Sequence, residues 1–115
     1  MYAVIFEFTP APGRQEDYLA RAAQLRAALQ DMPGFISVER FESISTPGKL
    51  VSLSFWESEE AIAGWRNHQD HRESQRAGRR GIFADYRLRV ARIVRDYSMG
   101  ERDQAPPEPA SGRSR

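Results

Sequence analysis

The chain has 115 residues, a formal net charge of +1, and no cysteine. That length corresponds to one domain, and the missing thiols exclude disulfides, thiolate nucleophiles and cysteine-held zinc or iron–sulfur centres. No apolar run reaches the roughly 18–20 residues that span a bilayer. Met1 leads into a strand-like run with no basic or apolar leader, so the expected location is the cytoplasm.

The near-neutral total hides an asymmetry. Residues 1–65 carry five bases and nine acids, whereas residues 66–95 carry nine arginines and three acids. A basic stripe can serve nucleic acid or an anionic ligand. Here sixteen of the seventeen basic residues are arginine, a usage bias that explains the stripe more simply. The two halves could also face each other within a subunit or across a dimer.

Tyr2 to Phe8 is aromatic and β-branched, which predicts a strand with both faces largely apolar. Pro10, Pro12 and Gly13 end it. From Arg14 to Met32 the residues Tyr18, Ala22, Leu25, Leu29 and Met32 recur at helical spacing. This stripe reads as core rather than as a ligand groove. Pro33-Gly34 closes the helix. Phe35 to Ile44 and Lys49 to Trp56 read as two strands of a hairpin around Ser45-Thr46-Pro47-Gly48. In the second of them, Val51, Leu53 and Phe55 share one face. Ser52, Ser54 and Trp56 share the other, which suits a partly buried cavity wall or a subunit interface.

Ser58 is a suitable N-cap, and Glu59 and Glu60 favour the positive end of a helix dipole. Ala61, Ile62 and Trp65 form the inner side of that helix. The polar residues after it predict a break near Asn67–Asp70 and a second short helix over 71–81. Tyr86 to Tyr97 reads as a last strand with interleaved arginines. The order β-α-β-β-α-β predicts an α+β, ferredoxin-like domain with a four-stranded antiparallel sheet and helices on one side. Trp56 and the first-strand aromatics are expected on the free side, which would make sheet-to-sheet homodimerisation economical. The domain is expected over 1–99. Residues 100–115 hold three of the seven prolines and, apart from two alanines and Gly100 and Gly112, only polar residues, which predicts a disordered tail.

The segment from Ser54 to Tyr97 resembles the antibiotic biosynthesis monooxygenase-like family of small dimeric α+β barrel proteins. The resemblance rests on Phe55-Trp56-Glu57-Ser58, on the helix with Ala61, Ile62 and Trp65, and on His68-x-x-His71. Asp85-Tyr86-Arg87, the opening MYAVIFEF and Met32-Pro33-Gly34-Phe35 extend it over roughly residues 1–98. It implies a homodimer joined through sheet faces and monooxygenase-type chemistry on a small aromatic or quinone-type compound, with no cofactor. Trp65 resembles the tryptophan that such proteins place beside the substrate. Phenol-oxidising members carry an asparagine where this chain has Ala61 and a tyrosine where it has His71. In haem-degrading members the iron-binding histidine falls at Gln75, and a first-strand asparagine falls near Glu7.

The chemistry expected of these residues is proton abstraction by His68 or His71. Trp65, Trp56, Tyr86 and Arg87 would bind the substrate, Trp65 by stacking and Tyr86 or an arginine by stabilising an anion. The two histidines lack the H-E-x-x-H pattern and a placed third ligand, so no metal is expected. The strand Lys49–Trp56 has no RNA-stacking aromatic pattern, so no nucleic acid is expected. A non-catalytic dimeric binding or stress-related accessory protein is the alternative from another class, and haem binding is the third.

Overall fold

The computed structural model describes residues 1–71 and 81–107 (for 69–71, the backbone only). Six elements follow in order: β1 (Tyr2–Pro10), α1 (Gln15–Gln30), β2 (Phe35–Glu42), β3 (Leu50–Trp56), α2 (Glu59–His71) and β4 (Phe83–Arg92). The strands form one antiparallel sheet in the order β2-β3-β1-β4. The ferredoxin-like α+β arrangement read from the sequence is therefore the observed one.

Register decides what each face carries. Val4 pairs with Ser54 and Val90, and Phe6 pairs with Ser52 and Leu88. Val38 pairs with Ser54 and Arg40 with Ser52. Because side chains alternate along a strand, these residues share one face with Trp56 and Phe8. Both helices lie on that face. Trp56 and Phe8 are its most deeply buried large side chains, at 1% and 2% exposure. Phe8 packs with Tyr18, Ala22 and Ile82, and Phe6, Leu50 and Phe83 surround them.

The expected placement of the faces is thus reversed. The Ser52-Ser54-Trp56 side lies under the helices, and the uncovered side carries Ile5, Val51, Leu53 and Phe55. Both sides of β3 are apolar enough to be buried, so composition alone did not separate them. Ser54 is tolerated under the helices because its Oγ accepts a hydrogen bond from Trp56 Nε1–H at 2.9 Å.

Three boundaries also differ from expectation. β4 starts at Phe83, because β1 runs on to Pro10 and pairs there. It stops at Arg92, just before Ile93 donates its N–H to the Met1 carbonyl at 2.9 Å. Val94, Arg95 and Tyr97 consequently lie outside the strand. α2 has no break at Asn67–Asp70 but is continuous to His71; Arg66 and Asn67 are exposed, and a polar outer side does not interrupt a helix. The second short helix expected over 71–81 falls largely outside the described residues.

The α1–β2 turn sets where α2 begins. Gly34 has φ +81°, and the Glu57 N–H donates to its carbonyl at 2.8 Å. A Cβ at Gly34 would stand 2.5 Å from the Ala61 Cβ. Glycine is required here both by the left-handed backbone and by the approach of α2. Ser58 Oγ then accepts the Ala61 N–H at 3.1 Å, the expected N-cap. Among the described residues no helix is long and apolar enough to cross a membrane.

Candidate functional site

Between the two helices and the sheet lies a cavity of about 390 Å³, within the range of small-molecule sites. The sheet contributes Val4, Phe6, Val38, Arg40, Ser52, Ser54, Trp56, Tyr86, Leu88 and Val90. α1 contributes Tyr18, Arg21, Ala22, Leu25 and Leu29, and α2 contributes Ile62, Trp65 and Arg66. The α1 stripe expected to be core alone is therefore also cavity wall: Tyr18, Ala22 and Leu29 are buried and border the space.

Aromatic groups stand at both ends. At one end, Phe6, Phe8, Tyr18, Phe83 and Tyr86 contact one another, with Phe6 and Tyr86 ring centroids 5.7 Å apart. At the other, Trp56 lies edge-on to Phe35 (5.3 Å) and 6.5 Å from Trp65. Trp65 in turn stacks on His68 at 5.5 Å and 19°. The first tryptophan is held by the end of a strand and the second by the next helix. The short Glu57-Ser58 connection brings them together.

Of the residues predicted for the site, Trp56, Trp65 and Tyr86 meet around the cavity. His68 is behind this wall, stacked on Trp65. Its Nε2 is buried and has no hydrogen-bond partner among the described residues. The backbone of His71 is the last of α2, three residues on; its side chain and Gln75 lie outside the described residues. Arg87 is not brought to the cavity. It pairs with Glu7 across β1 and β4, on the uncovered side of the sheet. Glu7 stands on that side too, where it meets Lys49 at 3.0 Å and Arg89 at 2.9 Å. The hydrogen bond from Lys49, helped by the charge of Arg89, holds its carboxyl below the usual carboxylate range. Ala61 packs toward Gly34 and does not border the cavity.

Four polar lining residues were not named for the site from the sequence: Tyr18, Arg21, Arg40 and Arg66. Arg40 Nε–H donates to Tyr18 Oη at 3.1 Å, so α1 and β2 touch at this point. Arg21 Nε is buried with no partner among the described residues. A signal was present. Arg21 interrupts an apolar stripe one turn after Tyr18, and Arg40 follows Val38 at the strand period on the inward face. No group of three or more acidic or histidine side chains suited to a metal occurs among the described residues.

Comparison with known proteins gives a consistent picture. A family profile described as antibiotic biosynthesis monooxygenase matches residues 1–77. A jasmonate monooxygenase of Pyricularia oryzae is 41% identical over 101 residues, covering 88% of this chain and 47% of that protein. The chain thus spans about half the length of that relative. An uncharacterized protein of Bacillus subtilis, YqjZ, is 32% identical over 100 residues, covering 87% of this chain and 85% of its own. Among solved structures, Rv0793 of Mycobacterium tuberculosis superposes with a TM-score of 0.70 at 20% identity, covering 84% of this chain and 98% of that one. The haem-degrader MhuD of the same organism, with two haems in its active site, superposes with a TM-score of 0.65 at 21% identity, covering 85% and 100%. These structural likenesses establish the fold.

Proposed function

The chain belongs to the antibiotic biosynthesis monooxygenase family, and on that premise we propose that its cavity binds a small aromatic or quinone-type compound and oxidises it with dioxygen, without an added cofactor. The observation that carries this reading is the apolar cavity walled by Trp56 and Trp65 at one end and by Phe6 and Tyr86 at the other. A flat, electron-rich ring fits between such walls. A relative at 41% identity carries a monooxygenase name, which supports an oxygenase of small organic molecules.

The reaction needs no external reductant if the substrate supplies all the electrons. A ring CH2 activated by a neighbouring carbonyl loses a proton, and its anion reacts with dioxygen. The carbon becomes C=O with one oxygen atom, and the other leaves as water. Four electrons pass from the carbon to dioxygen. The protein holds the ring between its aromatic walls and accepts the proton. The proton-accepting role is assigned to His68 or His71; His68 stands behind Trp65 and does not itself border the cavity. Trp65 stacks on the substrate, and the Tyr86 hydroxyl donates to the developing oxyanion.

The working form is a homodimer joined through the uncovered sheet faces. Ile5, Val51, Leu53 and Phe55 are each only part-buried there, and a second copy would remove that apolar surface from water. Oxygen uptake with a panel of hydroquinones and anthrones tests the activity, with loss expected in Trp65→Ala. Undiminished turnover in both His68→Ala and His71→Ala would remove the histidines from the mechanism.

A second reading is haem binding, with haem as ligand or substrate. Its support is the fold shared with the haem-loaded MhuD and the unpartnered His68 Nε2. Titration with haemin separates the two readings. A Soret shift abolished by His68→Ala or His71→Ala favours haem, and no shift ends that reading.

A further inference from the structure

We infer that the cavity selects ligands bearing a carboxylate, which is held at the Tyr18–Arg40 end by Arg21 and Arg40 while the apolar body reaches toward Trp65. The inference rests on the reading of the cavity as a ligand site and adds the ligand's charge and direction.

Charge is the first observation. Three guanidinium side chains line the cavity, those of Arg21, Arg40 and Arg66, and no aspartate or glutamate lines it among the described residues. The described ion pairs of the protein, Arg14–Asp17, Lys49–Glu7 and Arg89–Glu7, are all elsewhere. Arginine stays charged at any pH the protein meets. Arg66 is exposed to solvent, but Arg21 and Arg40 are part-buried with no counter-charge, an electrostatic cost in the empty protein that a bound anion relieves.

Hydrogen bonding is the second. Arg21 Nε is buried and unpartnered, which is unusual for a group that hydrogen-bonds so readily. Arg40 uses its Nε on Tyr18 Oη, a neutral partner that orients the guanidinium without discharging it. Tyr18 and Arg21 are one turn apart on α1, so the two arginines approach the same end of the cavity from facing walls. Ser52, directly across from Arg40 in the β2–β3 register, adds a hydroxyl donor. Two arginine forks and a hydroxyl suit the planar oxygens of a carboxylate.

Direction is the third. β3 runs from Ser52 through Ser54 to Trp56, and at about 3.3 Å per residue this wall is about 13 Å long. Opposite its far half are Leu29, Ile62 and Trp65, with the exposed Arg66 beside them on α2. A ligand with its carboxylate at Arg40 therefore presents its other end to Trp65.

The test uses paired probes with one ring system, 2-naphthoate and its neutral analogue 2-naphthamide. Binding to the full-length protein is followed by tryptophan quenching and calorimetry, without turnover. The naphthoate is expected to bind about tenfold tighter or better, the worth of a charge-assisted hydrogen bond. Arg21→Gln and Arg40→Gln should each weaken naphthoate binding far more than amide binding, so that the roughly tenfold preference collapses, and an unchanged urea-unfolding midpoint certifies that the variants are folded. Arg21→Lys, which keeps the charge but loses the fork, should restore part of the preference. Equal binding of the two probes overturns the inference, as does a preference that survives both glutamine variants. If neither probe binds, the ligand-site reading falls and this inference falls with it. Carboxylate preference in a protein that consumes no oxygen with any substrate refutes only the oxygenase reading.

Discussion

Replacing Gly34 with alanine would test the joint on which α2, and with it Trp65, is mounted. Two separate costs arise. The backbone sits at φ +81°, where a residue with a Cβ loses roughly 1–2 kcal/mol. The new Cβ would also stand 2.5 Å from the Ala61 Cβ, inside the optimum carbon–carbon separation of about 3.5–4.0 Å. Relieving that overlap means moving the first turn of α2 by about 1 Å, and overpacking of this kind costs about 1–3 kcal/mol. The expected total is about 2–5 kcal/mol, a large part of the roughly 5–15 kcal/mol that stabilises a domain. Urea unfolding followed by the fluorescence of Trp56 and Trp65 measures it. Gly13→Ala and Gly48→Ala are the controls. Both glycines have positive φ (77° and 86°), but a Cβ there meets nothing within 4 Å, so only the backbone cost of about 1–2 kcal/mol applies. Adding Ala61→Gly to Gly34→Ala should return the packing part, measured as a coupling between the two sites. If Gly34→Ala costs no more than the two controls, or if Ala61→Gly recovers nothing, the claimed contact does not hold the helix in place.

Ser58→Ala removes the acceptor of the Ala61 N–H at the start of α2, and urea unfolding should show a loss of about 1 kcal/mol. Glu7 gives a pH-dependent outcome. Its carboxyl is held below the usual range by Lys49 and Arg89, so the stabilisation is present above the unfolded-state carboxyl pKa and is lost as pH falls through the lower folded value. The difference in melting temperature between the wild type and Glu7→Gln should be constant near neutrality and shrink toward zero in acid; a difference that grows in acid contradicts the assignment.

Much of the fold was legible because its signals are local. The α1 stripe, the hairpin around Pro47-Gly48, the Ser58 cap and the alternation in β3 each depend on spacing within a few residues, and all reappear. Strand ends were less legible because they depend on a partner. β4 starts at Phe83 because it pairs there with Pro10 of β1, a partner about seventy residues away. Trp56, Trp65 and Tyr86 were named for the site and do border one cavity. Arg87 differs from Tyr86 by one position, and in a strand one position is the opposite side of the sheet. Arg21 and Arg40 were overlooked because a basic residue on an otherwise apolar side reads as an irregularity until its surroundings are known.

The order and type of the elements, the cap and turn chemistry and the family all follow from periodicity or from motifs carried by neighbouring residues. Which side of the sheet the helices cover, and hence that Ser52, Ser54 and Trp56 form a cavity wall rather than an outer surface, is settled by three-dimensional packing. That packing alone brought Tyr18 to Arg40 across 22 residues. The physical reason is that both sides of the central strands are apolar enough to bury. The choice between them is made by how α1 and α2 pack as a pair, which no single segment contains.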